Sequence, residues 1–110
     1  MVAREDAVVT GFLTLNQHNA HSAEIHLIAV RQEYHGRGIG RALVEHAEAL
    51  LRERDVEYFE VKTLGPSRPD SYYDKTRDFY HAMGFRPLEE NNLWGDVNPC
   101  LIMIKHLACS

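Results

Sequence analysis

The stretch His35-Gly36-Arg37-Gly38-Ile39-Gly40-Arg41 constrains the fold of this chain more than any other. It follows an apolar segment, residues 23–30 (AEIHLIAV), and passes at once into helical periodicity. Ile39, Ala42, Leu43, Ala47, Leu50 and Leu51 recur at helical spacing, while Arg41, Glu45, Glu48 and Arg52 take the other face as a solvated charged stripe. A helix is predicted from about Gly38 to Arg54. Alternation in residues 23–30 predicts a strand with Glu24, His26, Ile28 and Val30 on one face and Ile25, Leu27 and Ala29 on the other. Residues 57–64 (EYFEVKTL) are the next strand. Strand, glycine-rich turn, helix and strand in that order form a crossover unit, which implies parallel-type neighbours.

The glycine loop suits an anion. Successive backbone N–H groups at a helix start cradle negative charge, and the helix dipole adds favourable potential. Glycines supply the backbone angles and let a ligand approach closely. Arg31, Arg37 and Arg41 against Glu33 give a local charge of +2, whereas the whole chain carries −4. A phosphate or pyrophosphate site follows, with a plain strand-to-helix turn as the alternative. The loop is not a Walker A motif, because no Gly-Lys-Ser/Thr follows. Its G-x-G-x-G spacing also departs from the G-x-G-x-x-G of dinucleotide folds.

Other segments complete a mixed α/β pattern. Residues 7–16 (AVVTGFLTLN) are β-rich, and residues 17–22 (QHNAHS) form a turn that pairs them with 23–30 as a hairpin. Residues 65–70 (GPSRPD) are loop, and Ser71 with Asp74 resembles a weak capping box. A short helix is predicted over about 72–83, with Tyr73, Thr76, Tyr80 and Met83 on one stripe and Gly84 ending it. Strands at 85–89 and 101–107 follow, separated by a turn at Asn91-Asn92.

The 110 residues fit a single domain, 1–110, and a 45% apolar, 25% charged composition argues against disorder. Net acidity argues against nucleic acid as a main partner. The run Leu101–Ile104 is too short to span a bilayer, and no signal stretch opens the sequence, so no membrane partner and a cytoplasmic location are expected. His18, His21 and His26 match no common zinc spacing, and no metal is expected. Cys100 reads as a small buried hydrophobe and Cys109 as incidental; Trp94 either lines a pocket or packs a hairpin.

AEIHLIAVRQEYHGRGIGRALVEHAEALL resembles motif A of the GCN5-related N-acetyltransferases (GNAT), with His35, Gly38 and Gly40 in the places of its R/Q-x-x-G-x-G/A signature. TRDFYHAMGFRPLEE resembles motif B of the same superfamily through Tyr80, Gly84 and Phe85. The two motifs stand in the family's order and spacing, and the likeness spans nearly all of residues 7–107.

The resemblance implies an α+β fold with a splayed central sheet, a long helix after the glycine-rich loop and a second, shorter helix. It implies acetyl-CoA as cosubstrate, lying between the strands at 24–30 and 57–64. Ile28, Ala29 and Val30 would pair with the pantetheine. The backbone from His35 through Gly36, Arg37, Gly38, Ile39 and Gly40 to Arg41 would hold the pyrophosphate, and Tyr73 would touch the cofactor. Tyr80 matches the tyrosine that protonates the departing thiolate, and Glu24 matches a general-base position. Burial beside Ile25 and Leu27 is expected to raise the Glu24 carboxyl toward neutrality, with His26 as the other candidate base.

The expected activity is acetyl transfer to a primary amine by direct attack. Alternatives are a non-enzymatic acyl-CoA-binding module or subunit, and an interaction protein in which the loop is only a turn. Compared with the family, the chain is short by a first strand and two helices. That leaves the acceptor half open, or completed by a second copy as a homodimer.

Overall fold

The structure, a computed structural model, describes residues 1–107; Cys109 lies outside the described residues. The elements are β1 (Val2–Glu5), β2 (Val8–Gln17), β3 (Ser22–Val30), α1 (Ile39–Glu53), β4 (Tyr58–Leu64), α2 (Ser71–Ala82), β5 (Arg86–Asn91) and β6 (Cys100–His106). A single 3-10 turn, Gln32–Tyr34, precedes the glycine loop. This is the expected α+β architecture, with one strand, β1, added ahead of the predicted hairpin. The described residues divide into two compact units, Met1–Phe59 with Leu107, and Glu60–His106.

In the first unit β1, β2 and β3 lie side by side, and both pairs are antiparallel. The turn between β2 and β3 is held by Asn19, whose Oδ1 accepts from the His21 and Ser22 N–H groups at 2.7 and 3.1 Å. α1 buries Leu43, Val44, Ala47 and Leu51. Those positions form a narrow stripe, and two sequence expectations fail against it. Glu48 belongs to the stripe and is buried, with its carboxylate 3.9 Å from the Arg52 guanidinium, because it falls one residue after Ala47 and three before Leu51. Ala42 is exposed.

The alternation predicted for β3 also fails, at one residue. β2 partners run Gly11↔Val30, Leu13↔Ile28 and Thr14↔Leu27, then shift to Leu15↔Ile25 and Asn16↔Glu24. His26 has no partner on β2, so a β-bulge sits there. Past it the Leu27 N–H donates to the Thr14 hydroxyl at 3.1 Å. The bulge turns Ile25 to the face of Ile28 and Val30, where Leu13 and Gly11 also point. A Cβ on Gly11 would stand 3.2 Å from the Ile39 side chain, which identifies this as the α1 face. Glu24 instead shares the opposite face with Leu27 and Ala29.

In the second unit the strands run in the order β4, β6, β5. α2 is capped by Asp70, whose carboxylate accepts from Tyr72 and Tyr73 N–H at 2.9 and 3.2 Å. The cap thus falls one residue before the Ser71 expected from the capping-box pattern, and Ser71 is the first helical residue. Asp reaches the N2 and N3 amides directly and needs no reciprocal partner. Tyr80 and Met83 are buried, as the predicted stripe requires. Gly84, at φ 100°, ends the helix, and Lys105 Nζ donates to the Met83 carbonyl at 2.7 Å. Asp70→Ala is expected to cost about 1 kcal/mol and Asp70→Asn only a few tenths, measured by denaturant melts. Among the described residues no helix is long and apolar enough to cross a membrane.

Candidate functional site

In the first unit the candidate site is the link from β3 to α1. The 3-10 turn closes with His35 N–H donating to the Gln32 carbonyl, 3.1 Å, and α1 begins with Ala42 N–H donating to the Gly38 carbonyl, 3.0 Å. Between those two bonds lie six consecutive N–H groups, from Gly36 to Arg41. The last three are the leading donors of a helix, which have no intrahelical acceptor. Gly36 and Gly38 sit at φ 80° and 77°, in the left-handed region that favours glycine. A Cβ on either would meet nothing within 4 Å, so the space in front of this backbone is open. No acidic residue occupies the first turn of α1. An anion therefore meets donors and a favourable dipole there.

Side chains brace the loop. His35 Nε2 lies 2.9 Å from the Val30 carbonyl, so the imidazole ties the turn back to the end of β3. Arg31 Nε donates to the Val9 carbonyl at 2.8 Å. The Arg37 guanidinium lies 4.9 Å from the centre of the Tyr34 ring and 3.4 Å from the Glu5 carboxylate on β1. Arg41 lies 3.8 Å from Glu45, one helical turn on. Val9 and Glu5 could not be read as partners from the sequence, because β-pairing brings them in. Ile28, Ala29 and Val30 form the last turn of the ladder on β2, directly before this loop.

Glu24 is 8% exposed, and its Oε1 lies 2.9 Å from His18 Nε2. No local pattern announces that partner, since His18 reaches Glu24 only once the β2–β3 turn has folded. His26, the alternative base, is exposed at the bulge.

The other candidate residues belong to the second unit. Tyr80 is buried, with its ring 5.8 Å from that of Phe85, edge to face. Burial, helped by the neighbouring Tyr72 phenol, pushes the Tyr80 hydroxyl up to about 12. It is therefore a protonated donor at neutral pH. Tyr73 is half-buried and lines a cavity of about 350 Å³ together with Leu64, Arg68, Asp70, Trp94 and Asn98. Trp94, 44% exposed, lines this cavity from the loop that joins β5 to β6, so it stands both at a pocket and in a hairpin connection. Arg68, Asp70 and Asn98 escape a sequence reading, because they sit in two loops, 65–70 and 92–99, whose approach no local pattern announces.

Comparison with known proteins agrees with this architecture. The family profile described as "Acetyltransferase (GNAT) domain" matches residues 1–87. An uncharacterized N-acetyltransferase of Chlorobaculum tepidum is 32% identical over 112 aligned positions, covering 98% of this chain. This chain spans 63% of the length of that relative. Among solved structures, a putative acetyltransferase of the GNAT family from Desulfovibrio desulfuricans superposes with a TM-score of 0.87 at 22% identity, over 97% of this chain and 67% of that one. A GNAT family acetyltransferase from Elizabethkingia anophelis with acetyl-CoA bound gives 0.81 at 18% identity, over 96% and 74%. The glycine loop, the strand and helix on either side of it, and the helix bearing Tyr80 all fall inside the matched stretch: this chain belongs to the GNAT acetyltransferase family.

Proposed function

We propose that the chain is an acetyl-CoA-dependent N-acetyltransferase that acts on a primary amine by direct attack. The observation that carries this reading is the run of six amides from Gly36 to Arg41, framed by the last 3-10 bond and the first helical bond. That cradle fits a pyrophosphate in charge and in open space, and its backbone contacts require no particular side chain. Ile28, Ala29 and Val30 offer strand backbone to the pantetheine, as an added strand would use it. His35 acts by bracing the turn, and Tyr73 supplies a ring against the cofactor. Acetyl-CoA bound to a structural neighbour supports the same cosubstrate here.

The chemistry is a balanced acyl transfer. The ammonium first loses a proton, because it has no lone pair. Its nitrogen then bonds to the thioester carbonyl carbon, and the carbon–sulfur bond breaks with its electron pair going to sulfur. The amide nitrogen sheds its extra proton, and the sulfur takes one. Tyr80, neutral at pH 7, supplies that last proton. Glu24 accepts the first, with His18 fixing its carboxylate.

Calorimetry with coenzyme A, followed by thiol release across a broad amine panel, tests the reading. Saturating coenzyme A is expected to raise the melting temperature, since a ligand of the native state stabilises it. At a hundredfold excess over Kd the gain is about 2.7 kcal/mol. Binding without turnover on any amine would leave the acyl-CoA-binding module as the reading. No stabilisation at all would leave the loop as a turn.

A second copy is part of the proposal. Val2, Phe12 and Leu27 are exposed on the face of β1–β3 away from α1, at 51%, 37% and 54%. Pairing of two copies across that face would cover them. A strictly monomeric mass in sedimentation at high concentration would remove this clause.

A further inference from the structure

The cavity in the second unit carries two opposite charges that do not satisfy each other. Arg68 and Asp70 both line it, two residues apart in sequence. No ion pair joins them among the described residues. Arg68 instead donates to the Asn98 side chain. Asp70 commits Oδ1 to the two amides that start α2, and among the described residues Oδ2 accepts no hydrogen bond. Two aromatic rings, Tyr73 and Trp94, and the aliphatic Leu64 complete the lining.

A guanidinium and a carboxylate held apart around an apolar wall are complementary to a ligand with its own two charges. The volume, about 350 Å³, lies at the small end of ligand pockets and suits a compact molecule. A simple cation would face Arg68, and a simple anion would face Asp70, each with a like charge beside it. A zwitterion avoids both penalties.

We propose that this cavity binds a free α-amino acid with an apolar or aromatic side chain, its carboxylate on Arg68, its amino group on Asp70 Oδ2, and its side chain between Tyr73 and Trp94. Arg68 holds the carboxylate through the guanidinium N–H groups that the bond to Asn98 leaves available. Asp70 accepts from the amino group in either protonation state. Calling this ligand the acetyl acceptor rests on the transferase reading above; its binding does not.

Trp94 is the chain's single tryptophan, so its emission reports on the cavity directly. L-phenylalanine and L-leucine are expected to change that emission saturably. L-phenylalanine amide, which lacks the carboxylate, should bind about tenfold more weakly, as should N-acetyl-L-phenylalanine, which lacks the basic nitrogen. Arg68→Gln should weaken L-phenylalanine by about the same factor and leave the amide unchanged. Asp70→Asn should weaken L-phenylalanine while keeping the helix cap, so a loss there is not a loss of fold.

No saturable change with either amino acid would overturn the proposal. So would equal binding of acid and amide, or variants that bind like the parent. Thiol release with other amines, together with a silent Trp94, would overturn the cavity assignment and leave the transferase reading standing. Saturable, Arg68-dependent binding without thiol release on any amine would support the cavity and count against the transferase.

Discussion

Tyr80→Phe is expected to lower kcat by about 10²- to 10⁴-fold, the usual contribution of a positioned general acid, while KM for acetyl-CoA changes little. The substitution removes one oxygen and keeps the ring that packs edge to face on Phe85, so the stripe of α2 stays filled. A second readout distinguishes proton donation from packing. The folded phenol ionises near 12, pushed up by burial and then by Tyr72, against about 10 in the unfolded chain. Between those values the unfolded chain has released its proton and the folded one has not. The stability contributed by the buried neutral phenol is therefore intact below pH 10 and lost as pH rises toward 12. About 2–3 kcal/mol is at stake, and Tyr80→Phe should abolish that part of the alkaline decline. Urea melts at several pH values measure it. A parent and a variant with equal turnover would remove Tyr80 from the chemistry, and identical alkaline profiles would mean the phenol does not ionise as described.

Gly11→Val should produce the largest loss of stability, about 3 kcal/mol, with a fall in melting temperature of about 12–24 °C. Gly11 lies on the α1 face of β2, opposite Val30. A Cβ there would stand 2.9 Å from the Ala29 carbonyl oxygen and 3.2 Å from the side chains of both Ile39 and Val30. The closest of these is backbone, which cannot rotate away. The methyls of valine would press further into Ile39, the first residue of α1, and displace the helix start that carries the amide cradle. Coenzyme A affinity should fall together with stability. Gly36→Ala makes the contrast: its Cβ meets nothing within 4 Å, so only the left-handed backbone penalty, about 1–2 kcal/mol, applies. Parallel thermal melts compare the two, and a Gly11→Val protein as stable as the parent would contradict the close approach of α1 to β2.

The central stretch was legible because each signal is local. Three glycines, the onset of helical spacing at Ile39 and the apolar run before them needed no tertiary context, and α1 begins within a residue of its predicted start. Tyr80, Met83 and Gly84 were equally readable, since stripe and terminator lie on one short helix. What escaped the sequence depends on residues far apart. β1 is only four residues long, too short for a period to show. The cavity needs Arg68 and Trp94 on separate loops. The position of Glu24 failed for a different reason: alternation assumes an unbroken ladder, and one unpaired residue invalidates the count for everything on its far side.

That unpaired residue, His26, makes β3 a strand with two phases. Residues from Leu27 to Val30 answer to one count of the pleat and residues from Ser22 to Ile25 to the other. Composition can drift within either segment, but length cannot. Losing or gaining one residue between them would bring Glu24 round to the α1 side and turn Ile25 out, or else reverse the segment that enters the glycine loop. The strand therefore encodes a spacing as well as a surface, and the candidate base and the amide cradle are kept on their respective sides by a single residue that pairs with nothing on β2.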